Sequence, residues 1–176
     1  VTIDVPGTPT IQFTSASGSR SVNSLIAREA MSFTGGTLTV AATATLDGAV
    51  ATLNGGTLSG GTWSALAGGG LSFNSSGNNR LLDALVQGDL AVGGGYVRFN
   101  DGTEVTGTVT IGSGGRVAYE GATPTISMGT FVLAGSSADV GLHATVAKQV
   151  LTIGPGVTIG GHGFVGRYLN VAGSGG

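Results

Sequence analysis

A short glycine-led phrase recurs along this chain, and its spacing leaves few folds open. It reads Gly36-Thr37-Leu38-Thr39-Val40, Gly56-Thr57-Leu58-Ser59, Gly70-Leu71-Ser72-Phe73, Gly88-Asp89-Leu90-Ala91-Val92, Gly107-Thr108-Val109-Thr110-Ile111, Gly129-Thr130-Phe131-Val132-Leu133 and Val150-Leu151-Thr152-Ile153-Gly154. The apolar anchors are Leu38, Leu58, Leu71, Leu90, Val109, Phe131 and Leu151, and all but one of their intervals are close to equal. The typical interval, roughly 20 residues, is the short end of the range for stacked repeats; the step from Leu58 to Leu71 is shorter. Within each phrase, apolar residues alternate with small polar ones at period two, as in a strand with one buried side.

A period of roughly 20 residues is too short for a βαβ unit, and tight hairpins would give strictly paired strands rather than one phrase per period. The expected fold is all-β: a single parallel β-solenoid of about nine coils, roughly 20 residues per coil and on the order of 40 Å long at about 4.8 Å per rung. Gly36, Gly56, Gly88, Gly107 and Gly129 are assigned to structural turns. Asp47-Gly48, Asn54-Gly55-Gly56, Asp101-Gly102 and Gly112-Ser113-Gly114-Gly115 add corners where a positive φ is needed. Two stretches, Val22 to Met31 and Arg80 to Leu90, hold good helix formers. Each sits inside the period between phrases, so they are expected as strands or a single turn. The solenoid is placed at residues 1–171, and 172–176 (Ala-Gly-Ser-Gly-Gly) read as a glycine-rich tail or linker.

Charged residues make up 9% of the chain, so Thr, Ser, Gly and Asn must supply its polarity. Leu, Ile, Val and Phe still number 15, 7, 18 and 6, enough to build a core. The seven Lys and Arg are scattered singly and form no basic stripe, so nucleic acid is not an expected partner. No apolar run approaches the length of a transmembrane helix, and no membrane insertion is expected. The start, Val1-Thr2-Ile3-Asp4, has no Met and no signal-like pattern, which suggests a mature start or an internal fragment. Zero Cys excludes disulfides and thiolate metal sites.

Candidate chemistry is sparse. Asp89, Asp101 and Glu104 are the acids to weigh for polysaccharide cleavage on such a fold. Asp47 and Asp101, however, each precede glycine in turn sequences, and no Arg and Lys cluster stands ready to hold a uronate. His143 and His162 are about one coil apart, but two histidines without Cys do not make a metal site. No cofactor, metal or catalytic residue is assigned, and enzyme activity is not expected. Tyr96 and Tyr119, a little over one coil apart, form a candidate glycan strip. Threonines at 37, 39, 57, 108, 110, 130 and 152 raise ice binding as a minor alternative, since Thr is in any case the favoured polar strand residue.

The runs GTLTVAATATLDG (36–48), LNGGTLSGGTW (53–63), GTVTIGSGGRV (107–117) and LTIGPGVTIGGHGFVG (151–166) resemble repeat units of very large bacterial surface proteins. These are the haemagglutinin-like and autotransporter-like β-solenoid adhesins, and VTIDVPGTPTI at the start looks like the opening of one such unit. The resemblance implies a right-handed parallel β-helix, secretion to the outside or surface of a bacterial cell, and a structural or adhesive role. It carries no catalytic residues. The expected partners are copies of the chain or flanking segments of a larger chain, and surface polysaccharide as an alternative. Open strand edges at the ends place a stacking interface at Val1, Ile3, Val5, Ile11 and Phe13 on one side. Leu151, Ile153, Val157, Ile159, Phe164, Val165 and Leu169 form the other.

Overall fold

The computed structural model describes residues 1–100, 102–135, 140–145 and 150–167. Parallel strands wind into a three-faced solenoid of eight coils, one fewer than the length alone suggests. Each of the first six coils lays one strand on each face. Coil 2, for example, runs through Leu25–Ala27, Met31–Phe33 and Thr37–Val40. The third face carries an unbroken sheet of eight strands, from Ser19–Val22 in coil 1 to Phe164–Arg167 in coil 8. Its register steps lengthen late in the chain, from Tyr96↔Arg116 to Arg116↔Gly141, which absorbs the ninth coil.

The three faces also explain the short step from Leu58 to Leu71. Leu58 lies on the third face of coil 3, whereas Leu71 lies on the second face of coil 4. The phrase therefore changes face between them and advances two-thirds of a coil. Both helix-prone stretches are strands, because stacking on a neighbouring rung outweighs local propensity. Leu25–Ala27 pairs with Thr43–Asp47, and Leu85–Gln87 pairs with Thr62–Leu66. The only helical turn among the described residues is a 3₁₀ turn at Ser15–Ser17.

Inward residues stack in columns through the rod. On the second face, Phe13, Phe33, Leu53 and Phe73 share register, with the Phe13 and Phe33 rings stacked at 4.5 Å. On the first face, Leu25, Ala44, Trp63, Val86 and Val105 do so, and the small Ala44 leaves room for the indole. Trp63 is buried, and its Nε1–H donates to the carbonyl of Gly60 at 2.9 Å. Phe33, Leu53, Leu58, Leu81, Phe99 and Leu142 are each 0% exposed. Burying a side chain of this size is worth about 1.5–3 kcal/mol.

The turn glycines act in two different ways. Gly36, Gly88 and Gly129 have φ of 73°, 91° and 120°, which other residues adopt only with strain. Gly56 and Gly107 do not have positive φ; there the neighbouring rung sets the requirement. A Cβ on Gly56 would lie 2.6 Å from the Cβ of Phe33, and one on Gly107 would lie 2.4 Å from the backbone of Gly88.

The ladders are not continuous everywhere. On the second face, four strands end at Gly70–Phe73 and a second set of four begins at Leu90–Val92, with no pairing between them. In coils 7 and 8 the corner between the first and second faces is drawn into single long strands, Thr125–Ala134 and Thr152–His162, with a bulge between Ile126 and Met128.

A candidate basic ledge on the third face

Residues that point outward on the third face change character along the rod. In coils 1 to 3 they are Ser19, Ser21, Thr37, Thr39, Thr57 and Ser59. From coil 4 onward the column continues as Arg80, Arg98, Ala118 and His143, beside Tyr96, Arg116, Gly141 and Phe164. Arg80, Arg98 and Arg116 recur at equal intervals in the chain, and each interval carries the next one onto the following rung.

Glu120, at the end of the Arg116–Tyr119 strand, ties two of these arginines together. Its Oε2 accepts from Nε of Arg80 at 3.0 Å, and its Oε1 accepts from Nη1 of Arg98 at 2.6 Å and from Nη2 of Arg80 at 3.4 Å. The Glu120 side chain is 12% exposed, against 43% for Arg80 and 27% for Arg98. The Glu120 side chain is thus nearly covered while both arginine side chains are partly exposed. The Arg98 guanidinium lies 5.7 Å from the centre of the Tyr96 ring, within cation–π range. Its Nε is buried and has no hydrogen-bond partner.

A second layer covers the sheet beyond the arginines. Ala118 and His143 point outward yet are 0% and 2% exposed. The His143 ring lies between Tyr96, at 6.0 Å, and Phe164, at 5.9 Å and stacked. Phe164 can lie flat here because Gly141 beneath it has no side chain; a Cβ there would enter the ring. Burial pushes the His143 pKa below its usual value, and the nearby Arg116 and Arg98 charges push it the same way. The hydrogen bond between Nδ1 and the Ala144 carbonyl, 3.0 Å long, acts in opposition. Burial likewise raises the hydroxyl of Tyr96, with Arg98 opposing. Tyr119 is raised as well, by burial first and by Glu104 second.

The tyrosine strip expected from the sequence does not form. Tyr119 shares register with Phe99, which lies three residues beyond Tyr96 on the same strand. An odd offset puts the two tyrosines on opposite sides of the sheet. Tyr119 is 6% exposed and packs edge-on against Phe99 at 5.4 Å inside the rod. Tyr96 alone faces outward.

The other expected residues are placed as follows. Asp89 accepts from the backbone N–H of Thr108 at 2.8 Å, and Glu104 accepts from the Ser127 hydroxyl at 3.1 Å, so both fasten adjacent rungs. Asp101 lies outside the described residues. Asp47 and Asp4 flank Arg28 at 3.1 and 2.8 Å, an exposed ion triplet linking coils 1 to 3. His143 and His162 do not stack: the first shares register with Gly166 on the third face, the second with Ala134 on the second. No cluster of three metal-ligating side chains occurs among the described residues. Where the second-face ladder is interrupted, a cavity of about 200 Å³ opens between Trp63, Leu71, Val86 and Leu90, with Gln87 and Asp89 at its edge.

At the ends, Ile3, Ile11 and Phe13 on one side and Leu151, Val157 and Ile159 on the other pack partly buried against the core. Ile153 and Val165 point inward by register with Ile126 and Leu142, yet are each 44% exposed, with no further rung over them among the described residues. Val1 and Val5 are exposed off the column. Phe164 does not belong to this end surface, since its outward position commits it to His143. Leu169 and the 172–176 tail lie outside the described residues.

The sequence reading misses the ledge. Singly scattered arginines look unclustered, but their equal intervals, each close to one coil, are the signal that they fall on successive rungs of one face. A scan against protein-family models and searches of curated proteins and solved structures return no match to this chain.

Proposed function

We propose that the chain is a structural shaft segment of an extracellular adhesive protein on the bacterial surface, of the haemagglutinin-like and autotransporter-like kind, lengthened by stacking of coil upon coil. The observation that carries this reading is the state of the core column at its two ends. Met31 and Phe33 in coil 2 are 1% and 0% exposed, while Ile11 and Phe13 directly beneath them in coil 1 remain partly uncovered. Val157 and Ile159 are in the same state in coil 8. A further rung at either end would complete the burial and satisfy the open strand edge.

At the third face of coil 1, Arg20 occupies the column position beneath Leu38. Arg20 is exposed and its guanidinium donates to the Ser19 carbonyl; a charge on an edge strand opposes indiscriminate pairing. Stacking at that end therefore rests on Ile3, Ile11 and Phe13, and an open head-to-tail contact of this kind builds filaments rather than closed rings.

Negative-stain electron microscopy with sedimentation analysis over a concentration series tests the proposal. Rods that join end to end, with an axial repeat of about 38 Å for eight rungs, and that fall apart when Ile11→Lys or Ile159→Lys is introduced, are the expected result. Single rods at every concentration would sink it.

A further inference from the structure

The side of the rod carries a feature that end stacking does not use. Three of the chain's seven basic residues stand on successive rungs of one face, in a protein whose net charge is −2. Among the described residues Arg80 and Arg98 share one carboxylate, that of Glu120, which leaves this group of three side chains with an excess of positive charge. Glu120 also displays the chemistry that the ledge accepts: Arg80 grips its carboxylate with two donors while Arg98 reaches the same group from the next rung. Fork-shaped pairing of this kind is what guanidinium groups offer to carboxylates.

We infer that the ledge of Arg80 and Arg98, continued by Arg116, binds a linear acidic polysaccharide, a polymer with a carboxylate on each sugar, laid along the rod axis. Arg80 and Arg98 stand in one column on successive rungs, about 4.8 Å apart along the axis, close to the advance of one sugar in an extended glycan. Arg116 lies on the next rung in the neighbouring column, in register with Tyr96. An extended acidic peptide presents same-side residues about 6.7 Å apart and falls out of step with the rungs. Contact with the Tyr96 ring holds the plane of the Arg98 guanidinium, which lowers the entropy lost when a carboxylate docks. This site lies on a side of the rod, so it stands or falls separately from the stacking proposed above.

Isothermal titration of the whole chain with a galacturonate hexamer tests the inference. The fully methyl-esterified hexamer, a polyglutamate peptide and single-stranded DNA serve as comparison probes. The expected result is binding of the free acid that weakens with added salt, with no binding of the ester. Arg80→Gln should weaken it at least tenfold while the far-ultraviolet circular dichroism of the folded rod is retained, since Arg80 lies on the outside of the rod, 43% exposed. Thr57→Arg adds a fourth rung to the same ledge, because Thr57 shares register with Arg80; it should tighten binding several-fold. The inference is overturned by absence of hexamer binding, by an Arg80→Gln protein that binds equally well, by a Thr57→Arg protein with unchanged affinity, or by equal or tighter binding of the peptide or the DNA.

Discussion

The third face is one continuous sheet, yet its two halves are finished differently. In coils 1 to 3 the outward residues are hydroxyls in two columns, Ser19, Thr37, Thr57 and Ser21, Thr39, Ser59. In coils 5 to 8 they are Tyr96, Arg98, Arg116, His143 and Phe164, which build a partial second layer over the sheet. The inward sides hardly differ: Leu38 and Leu58 in one half, Val97, Val117 and Leu142 in the other, are all 3% exposed or less. Fold and surface are thus specified by alternate residues of the same strands. The inner set builds the rod, and the outer set is free to vary.

The comparison can be broken most severely from the inside. Leu58→Ala and Leu142→Ala should each cost about 2–5 kcal/mol, and chemical denaturation should find the two losses alike despite their different coats. A much smaller loss for Leu142 would mean that the second layer, rather than the column, holds the later coils. Next in size, Glu120→Gln leaves Arg80 and Arg98 facing each other without their shared carboxylate. It should cost about 2 kcal/mol, because Glu120 is nearly covered while both arginines are partly solvated. Thermal or urea unfolding of the variant measures this, and an unchanged midpoint would show that the ion pairs add nothing to the fold.

Acid should separate the halves as well. His143 is held neutral by burial, so its folded pKa lies below the value of about 6.5 in the unfolded chain. The unfolded state then takes up more protons as pH falls. The contribution of neutral His143 is complete above that unfolded value and is lost on acidification toward the folded one, at no more than about 1.4 kcal/mol per pH unit. Urea midpoints measured above and below that unfolded value should show this slope in the native chain and lose that part of it in His143→Phe. The smallest effect is reserved for the hydroxyl half. Thr39→Val should stay within about 0.5 kcal/mol of the native chain by thermal melting, and a larger loss would show that the hydroxyl columns carry structure of their own.

Much of the rod is legible in the sequence because period-two alternation is visible without knowing which strands pair. Leu38, Leu58, Leu90, Val109 and Phe131 follow as inward anchors on that ground, and each is 3% exposed or less. Features that depend on how many residues a corner consumes are not legible. The parity of Tyr96 and Tyr119 rests on the register step between their strands, which sets Tyr119 against Phe99 rather than Tyr96. The alignment of Arg80 with Arg98 likewise depends on the interval between them being one whole turn, whereas the same interval sets Arg116 opposite Tyr96 in the neighbouring column; both emerge only once strand positions are assigned. His143 is covered by Phe164 from the following coil, a contact no local pattern announces. Gly56 and Gly107 look like positive-φ corners, because a glycine demanded by the rung beneath and one demanded by its own dihedral angles are identical in a sequence.

The missing ladder between Gly70–Phe73 and Leu90–Val92 has a mechanical consequence. A beam bonded along three walls resists flexure in every direction, but a slot in one wall lets it yield toward or away from that wall. Here the slot sits near mid-length and is backed by the cavity beside Trp63, so little packed material opposes its closing. The third face, unbroken from coil 1 to coil 8, acts as the spine. Under lateral load, the rod should bend at coils 4 and 5 while the wall that carries the arginines keeps its length.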